Sequence, residues 1–425
     1  MATTIAWGRT MRALRSRNYR LFFAGQSVSL IGTWMTRLAT SWIVYQLTDS
    51  AFLLGLTSFV GQIPAFFVTP IAGVWLDRWN RHHVLVITQV LAMIQSLALA
   101  ALAFTGSINL WWVIGLTLCQ GLINAFDMPA RQAFVIEMIE ERADLGNAIA
   151  LNSSMVNGAK LVGPAIAGVM IAGVGAGFCF LIDGLSYIAV IWSLLAMKVA
   201  PAAPHAVQKS AVQELAEGWK YVVESQAIRS ILLLLALVSA IGMPYTVLMP
   251  VVAVDILHGG AHTLGFLVGM SGVGALASAI GLALRKTVIG LGKRIAISAG
   301  LFGGGLVFLG ISKSLTISLL LMTITGFGMM QQMAASNTIL QTIAADDKRG
   351  RVMSFYTLAI LGMNPIGSLL AGAVAARIGV SATMIWAGAI CLVGALWFYW
   401  KLPEIRAVIR PIYRELGILP EVAEG

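Results

Sequence analysis

A chain of 425 residues that is 58% apolar and 11% charged, with a mean hydropathy of +0.86, is too apolar and too sparsely charged for a soluble domain. Its formal charge of +10 would suit a nucleic-acid binder, but the basic excess falls in short segments between apolar stretches, where anionic lipid is the expected partner and no nucleic acid is needed. Cys119, Cys179 and Cys391 are scattered through apolar stretches without metal-ligand spacing, which excludes a disulfide framework and a zinc site.

The apolar stretches predict an all-α integral membrane protein with twelve transmembrane helices at residues 21–46, 53–76, 84–104, 109–127, 146–173, 178–197, 230–255, 264–284, 294–311, 314–334, 351–377 and 380–400. Most meet the ~20 residues that a bilayer core requires. The basic N-terminus resembles the start of a signal peptide, but the apolar stretch after it is too long and no small-residue cleavage site follows. It is expected to be retained as the first helix.

In the first span, Gln26, Ser29, Thr33, Arg37 and Thr40 recur at steps of three and four and therefore share one helix face. The second and third spans are joined by the charged hairpin Gly73-Val74-Trp75-Leu76-Asp77-Arg78-Trp79-Asn80-Arg81. Asp77 stands where it can cap a neighbouring helix N-terminus, expected in the eleventh span near Arg351, while Arg78 and Arg81 are left for carboxylates or lipid phosphate. Basic residues here also fit a plain marker of the cytoplasmic side. Thr117, Gln120, Asn124, Asp127 and Arg131 form a second stripe along the fourth span, and Asp127 is expected to pair with Arg81 or Arg131. These charges together read as an inner gate. A third stripe, Ser153, Asn157, Lys160 and Pro164, follows the fifth span, and the sixth contains Asp183.

Residues 198–229 are the long polar break, opening with Pro201 and Pro204. Val212, Leu215, Trp219, Val222 and Val223 then recur opposite Glu214, Glu217 and Glu224, which predicts a helix lying on the inner leaflet. After Lys401, Ile405, Val408, Ile409, Ile412 and Leu416 alternate with Arg406, Arg410 and Arg414 in the same manner. The expected organisation is an N-terminal six-helix half (1–197), a linker with an amphipathic helix (198–229), a C-terminal six-helix half (230–400) and an amphipathic tail (401–425). A weak repeat supports the division: Gly163-Pro164 with Gly168 in the fifth span matches Asn364-Pro365 with Gly367 and Gly372 in the eleventh.

Of 28 Lys and Arg, only Lys313 and Arg377 fall at turns on the far side and only Arg37 and Lys160 inside spans. The asymmetry predicts a multi-pass protein of the cytoplasmic membrane with both termini cytoplasmic. Arg37 and Lys160 each cost ~2.5–3.5 kcal/mol in the membrane and need a partner or a wet cavity. Asp183 is one acid for two bases. Contact with an anionic substrate, pairing with Asp183, and proton coupling through Lys160 or Asp183 all remain open. Other motifs give no enzyme: glycines separate His258 from His262 and break the helix that would align them as ligands. Gly265, Gly269 and Gly303-Gly304-Gly305 lack a preceding strand and a phosphate-binding lysine, and no nucleophile, base and orienting group assemble locally. No metal or cofactor is expected.

The hairpin at 73–81 is similar to the helix 2–3 motif of the major facilitator superfamily. Gly32-Thr33-Trp34-Met35, Trp42-Ile43-Val44-Tyr45-Gln46-Leu47-Thr48, Asp127-Met128-Pro129-Ala130-Arg131-Gln132-Ala133-Phe134, Leu151-Asn152-Ser153, Gly163-Pro164-Ala165-Ile166-Ala167-Gly168 and Arg349-Gly350-Arg351-Val352-Met353-Ser354 resemble its transmembrane secretion effector branch, which includes enterobactin exporters and relatives of macrolide efflux pumps. Asn80 stands where the superfamily usually has Gly, and Asn tolerates a left-handed turn. His82 replaces a commonly basic residue. Thr117 occupies the place of an Arg found in many proton-coupled drug exporters, and Ala159 and Ala167 replace glycines of the antiporter motif in helix 5.

The resemblance implies a central cavity lined by helices 1, 4, 7 and 10 with help from 2, 5, 8 and 11. The polar stripes would then be water-filled walls, and Thr33, Arg37, Gln120, Asn124, Asn157 and Lys160 on them are the expected substrate contacts; the alternative for the uncharged ones is that they bind helices to one another. Cationic drug pumps of this superfamily generally need an acid in that cavity, and Asp127 and Asp255 lie only at helix ends. The leading expectation is a monomeric, proton-coupled exporter of a small amphiphilic neutral or anionic molecule, siderophore-like or drug-like, working by alternating access. A facilitator that imports a nutrient or flips a lysolipid is the alternative in the same class, and a non-transporting sensor or scaffold the alternative in another. In a background without the native cysteines, single cysteines at Ser107 and Lys313 should be labelled by an impermeant maleimide added to intact cells; one at Asp346 should not, and its labelling refutes the topology.

Overall fold

The computed structural model describes residues 11–76, 79–198, 211–285 and 287–418, and among them every regular element is helical. After a short turn at Arg12–Arg15 come α1 (Arg17–Thr48), α2 (Ala51–Leu76), α3 (Arg81–Phe104), α4 (Leu110–Glu137), α5 (Leu145–Val174) and α6 (Ala176–Leu195). The linker helix α7 (Ala211–Glu224) is followed by α8 (Gln226–Ile256), α9 (Ala261–Ala283), α10 (Leu291–Ile311), α11 (Leu315–Ile343), α12 (Arg349–Ile378) and α13 (Val380–Glu415). Eleven of the described helices are long and apolar enough to cross a membrane. The remaining predicted span, α1, has ample length at 32 residues, but Arg17, Arg20, Arg37 and its polar stripe dilute its apolar character.

The helices group into two compact units, and neither is a simple half of the sequence. One comprises Met1–Ala206 with Met249–Gly269; the other comprises Val207–Leu248 with Met270–Gly425. Both α8 and α9 are thus divided between the units. In the first unit, Tyr19, Phe22, Leu85, Phe134, Met138 and Leu194 form a packed core. The Tyr19 hydroxyl donates to the Ala148 carbonyl at 2.8 Å, and Arg12 pairs with Asp144 at 3.1 Å, so the start of the chain is tied to the turn before α5.

Two spans depart from regular α-helix, and a proline accounts for three of their four irregular segments, the π segment Val252–Ile256 of α8 having none in the residues that follow it. Proline lacks an N–H and its ring collides with the carbonyl four residues earlier. In α8 a π segment at Val238–Gly242 contains Ala240, four before Pro244, and a 3-10 segment at Met243–Leu248 contains Thr246, four before Pro250. In α12 the π segment Leu358–Gly362 contains Leu361, four before Pro365. Widened and tightened turns take up the displaced carbonyls.

Asn80 does not adopt the left-handed turn expected of it. It is extended, at φ −69° and ψ 109°, and its side chain accepts from the His83 N–H at 3.3 Å. An Asn at this position caps α3, which satisfies one of the orphan donors of its first turn. The C-terminal segment differs as well: α13 continues for 36 residues through Pro403 and Pro411 to Glu415 rather than ending near residue 400. Leu402, Ile405, Ile409 and Tyr413 are its buried face, whereas Val408 and Leu416 are exposed.

The linker helix α7 lies on the start of α12. Trp219 and Phe355 have ring centroids 5.9 Å apart, the Ala345 N–H donates to the Tyr221 hydroxyl at 3.3 Å, and a Cβ added at Gly218 would lie 3.1 Å from Cβ of Arg351. The expected apolar face is described only from Gly218 onward, where Val222 is buried and Trp219 exposed.

Close helix approach through glycine recurs in the second unit. A Cβ at Gly326 of α11 would fall on the carbonyl oxygen of Ser271 in α9, and one at Gly274 on that of Thr323. Small residues allow such backbone contact where apolar burial offers little between lipid-facing helices. Gly326→Ala should therefore force α9 and α11 apart at a cost of ~1–3 kcal/mol, read as a lower unfolding midpoint of the purified full chain, whereas Gly300→Ala, with open space around it, should not.

Candidate functional site

The two cations inside spans come together over one aromatic ring. On α1, the Arg37 guanidinium carbon lies 4.9 Å from the ring centroid of Trp34, one helical turn away, and Nζ of Lys160 on α5 lies 5.8 Å from the same centroid. At 1.5 Å per residue, Arg37 is about 30 Å along α1 and Lys160 about 22 Å along α5. By whole-residue exposure Arg37 is exposed and Lys160 half-buried.

Glycines place this cluster. A Cβ at Gly163 would lie 2.6 Å from Cβ of Trp34 and 2.8 Å from the Ile31 carbonyl oxygen, so the Gly163-Pro164 segment lets α5 meet α1 at the tryptophan. A Cβ at Gly32 would lie 2.8 Å from both Cα and Oδ1 of Asp183, so α6 meets α1 one turn away. The motif Gly32-Thr33-Trp34 is thus a contact point for two helices, and Trp34 is a member of the site that its place in the motif did not reveal. Its position three residues before Arg37 was the available signal.

Asp183 is 2% exposed and is held by hydroxyls rather than by a cation. Ser96 of α3 donates to Oδ2 at 3.0 Å and Thr33 of α1 to Oδ1 at 3.4 Å, with the Tyr187 hydroxyl 3.5 Å from Thr33 Oγ1. No ion pair among the described residues joins Asp183 to Arg37 or Lys160. Thr33, expected among the substrate contacts, turns toward α6.

The remaining polar residues are distributed along the same unit. Gln120 donates to Asn124 at 3.1 Å along α4, and Asn157 donates to the Ser153 carbonyl of its own helix at 2.8 Å. Thr117 packs against α2, where a Cβ at Gly61 would lie 2.7 Å from its methyl group. Asp127 is 3% exposed. It accepts from Thr88 at 3.0 Å and Gln89 at 2.7 Å on α3, and pairs with Arg131 one turn on. Arg81 meets Glu137 at 2.9 Å, a partner not anticipated, so α3 and α4 are joined by one ion pair and by the two hydrogen bonds to Asp127. Asp77 and Arg78 lie outside the described residues, and Arg351 lies at the start of α12 under α7.

At the other end of α1, the Tyr45 hydroxyl donates to Asp255 Oδ2 at 2.7 Å. Nearby, Gly168 and Gly265 bring α5 and α9 into backbone contact, with a Cβ at Gly168 only 2.7 Å from Cα of Gly265. Sequence reading located Asp255 at a helix end but had no means of pairing it across 210 residues.

Residues 9–414 match the transmembrane secretion effector family. The chain belongs to that family of major facilitator superfamily transporters. The staphyloferrin A transporter of Staphylococcus aureus is 26% identical over 89% of this chain and 95% of its own length. The multidrug efflux pump Tap of Mycobacterium tuberculosis is 27% identical over 94% of this chain and 93% of its own. In fold, the chain is similar to a POT family transporter solved with 5-aminolevulinic acid: TM-score 0.74, 13% identity, 92% of this chain and 97% of the other covered. The family and these relatives are transporters, not enzymes, and the protein is a multi-pass membrane protein.

Asp127 has three polar partners, Thr88, Gln89 and Arg131. Asp127→Ala leaves Arg131 without its counter-charge and Gln89 without its acceptor, while Thr88 keeps the Leu85 carbonyl at 2.9 Å. Breaking a fully buried pair costs ~3–5 kcal/mol, an upper bound here because Arg131 is partly exposed. Purified Asp127→Ala should show a markedly lower unfolding midpoint, and the Thr88→Val variant a smaller loss.

Proposed function

We propose that this secretion effector family member exports a small amphiphilic neutral or anionic molecule, siderophore-like or drug-like, by alternating access in the cytoplasmic membrane, with protons as the coupling ion. The observation that carries the reading is the pair of cations over Trp34. Each costs ~2.5–3.5 kcal/mol within the membrane, and a cation–π contact returns ~0.5–2 kcal/mol. The shortfall, and the absence of an ion pair to Asp183 among the described residues, fit a site completed by an anionic or electron-rich group. An aromatic face between two donors also suits a phenol or conjugated carboxylate, which can stack on Trp34 while its oxygen meets Arg37 or Lys160. Gln120, Asn124 and Asn157 then supply neutral hydrogen-bonding capacity along α4 and α5.

The names of the relatives agree with this range: one transports staphyloferrin A and the other is a multidrug pump. In this reading, Asp77, Arg78, Arg81, Asp127, Arg131 and Arg351 form the cytoplasmic gate, both termini face the cytoplasm, anionic lipid contacts the basic face, and the protein works as a monomer. Import by facilitated diffusion uses the same site, and transport in vesicles of known orientation gives the direction.

Fluorescein, an anionic phenol, and tetraphenylphosphonium, a lipophilic cation, separate the charge preference. The purified full chain should bind fluorescein and staphyloferrin A in preference to the cation. Lys160→Ala should weaken fluorescein binding about ten- to a hundred-fold, the worth of one charge-assisted hydrogen bond of ~1.5–3 kcal/mol, while the unfolding midpoint stays near wild type. Unchanged affinity in both Lys160→Ala and Arg37→Ala would place the substrate elsewhere.

A further inference from the structure

We infer that Asp183 is a proton-binding site, distinct from the cations over Trp34, whose charge decides which of two acceptors each of two hydroxyls serves. The geometry is that of a switch with two settings. Ser96 has one hydroxyl proton and two acceptors in range, the Phe180 carbonyl at 2.9 Å and Asp183 Oδ2 at 3.0 Å. Thr33 likewise has one proton, with the Ser29 carbonyl at 3.0 Å and Asp183 Oδ1 at 3.4 Å as its acceptors and the Tyr187 hydroxyl, at 3.5 Å, able to donate to it or accept from it. An ionised carboxylate is an acceptor only and draws both hydroxyl protons toward itself. A protonated one carries a proton of its own to donate, so Thr33 and Ser96 are released to the backbone carbonyls. One proton is gained and one negative charge lost, with no other change in bonding.

The surroundings favour a titrating role over a fixed ion pair. From α1 the charged group acting on Asp183 is Arg37, which is engaged with Trp34 and not ion-paired to the acid. From α3 only the neutral Ser96 meets it; the ionisable residues of that helix, Arg81, His82 and His83, are in its first turn, about 20 Å away. From α5 the cation is Lys160, which lies over Trp34. On α6 itself, Cys179 and Tyr187 flank the acid one turn before and after, both buried. A full negative charge held in a span by hydroxyls is costly unless it serves a cycle in which it is neutralised.

The location makes the switch consequential. Thr33 adjoins Trp34, and the Gly32 contact seats Asp183 directly on the backbone of α1. Rearranging the Thr33 and Ser96 hydrogen bonds alters the contacts of α6 with both α1 and α3, and α1 carries Arg37. Protonation is thereby linked to the helix that presents the substrate cations, which gives the coupling ion of the proposed exporter a defined seat. The transport consequence rests on the export reading; the proton site does not.

The test uses the full chain in liposomes and infrared difference spectra taken across pH. Wild-type protein should show a carboxylic-acid carbonyl band that appears on acidification, shifts in deuterated water and is missing from Asp183→Asn. Thr33→Val and Ser96→Ala should keep the band and move its frequency, which preserves a test if Asp183→Asn does not fold. A band that survives in Asp183→Asn, or one that neither hydroxyl variant moves, overturns the assignment. In the same liposomes, Asp183→Asn should lose fluorescein accumulation driven by a pH gradient while retaining fluorescein exchange at equal pH. Gradient-driven accumulation at the wild-type rate in that variant overturns the coupling role. If wild-type protein shows the band but moves no fluorescein, the proton site stands and the export reading fails.

Discussion

Polar groups inside a bilayer have no water to answer them, and in this chain the helix that carries most of that burden is α1. Gln26, Ser29 and Thr33 are committed to neighbouring helices or buried among them, Arg37 is laid over Trp34, and the Tyr45 hydroxyl meets Asp255. Lipid supplies no alternative partner for any of these groups. Their helix neighbours are therefore fixed more tightly than apolar packing alone would require. The glycines follow from this: Gly32 and Gly163 exist where α6 and α5 have to come close enough for their polar side chains to reach.

The positions of the helices were legible in the sequence because a span is a one-dimensional signal of length and hydropathy, and the bounds of α2, α3, α5, α6 and α10 fall within a few residues of expectation. Helix ends beyond the apolar stretch were less visible. Both α4 and α11 run about three turns past the expected boundary, since a polar helix end held by contacts such as Arg81 with Glu137 carries no hydropathy signal. The apolar residues after Lys401 predict a separate amphipathic tail, whereas the segment continues α13, with Ile405 and Ile409 buried but Val408 and Leu416 exposed. The pairing of polar residues was the least legible. Periodicity puts Thr33 and Arg37 on one face, but only the three-dimensional structure shows that Thr33 turns to Asp183 while Arg37 turns to Trp34. Asp127 was paired in advance with Arg81 or Arg131, and the described contact is with Arg131, the residue one turn along its own helix.

Family membership and local chemistry answer different questions here. Relatives at about a quarter identity span nearly the whole chain, which fixes the architecture, and they include both a staphyloferrin A transporter and a multidrug efflux pump. A shared fold thus leaves the cargo open, and the side chains in the spans have to discriminate. Two cations on an aromatic face with hydroxyl-held Asp183 nearby are the arrangement on which the proposed preference for an anionic cargo rests, and neither the fold nor the overall composition conveys it.

The unbroken run of α13 has a mechanical corollary. At 1.5 Å per residue its 36 residues form a rod about 54 Å long, with Leu402 packed near Gly292 and Glu404 bonded to Gln226 where the rod passes the first turns of α10 and α8. Its last turns are no free arm, since Ile405, Ile409 and Tyr413 are buried. Any tilt of the span has to carry that packing with it, so a bulky fusion close behind Arg414 would load the packed face of the rod.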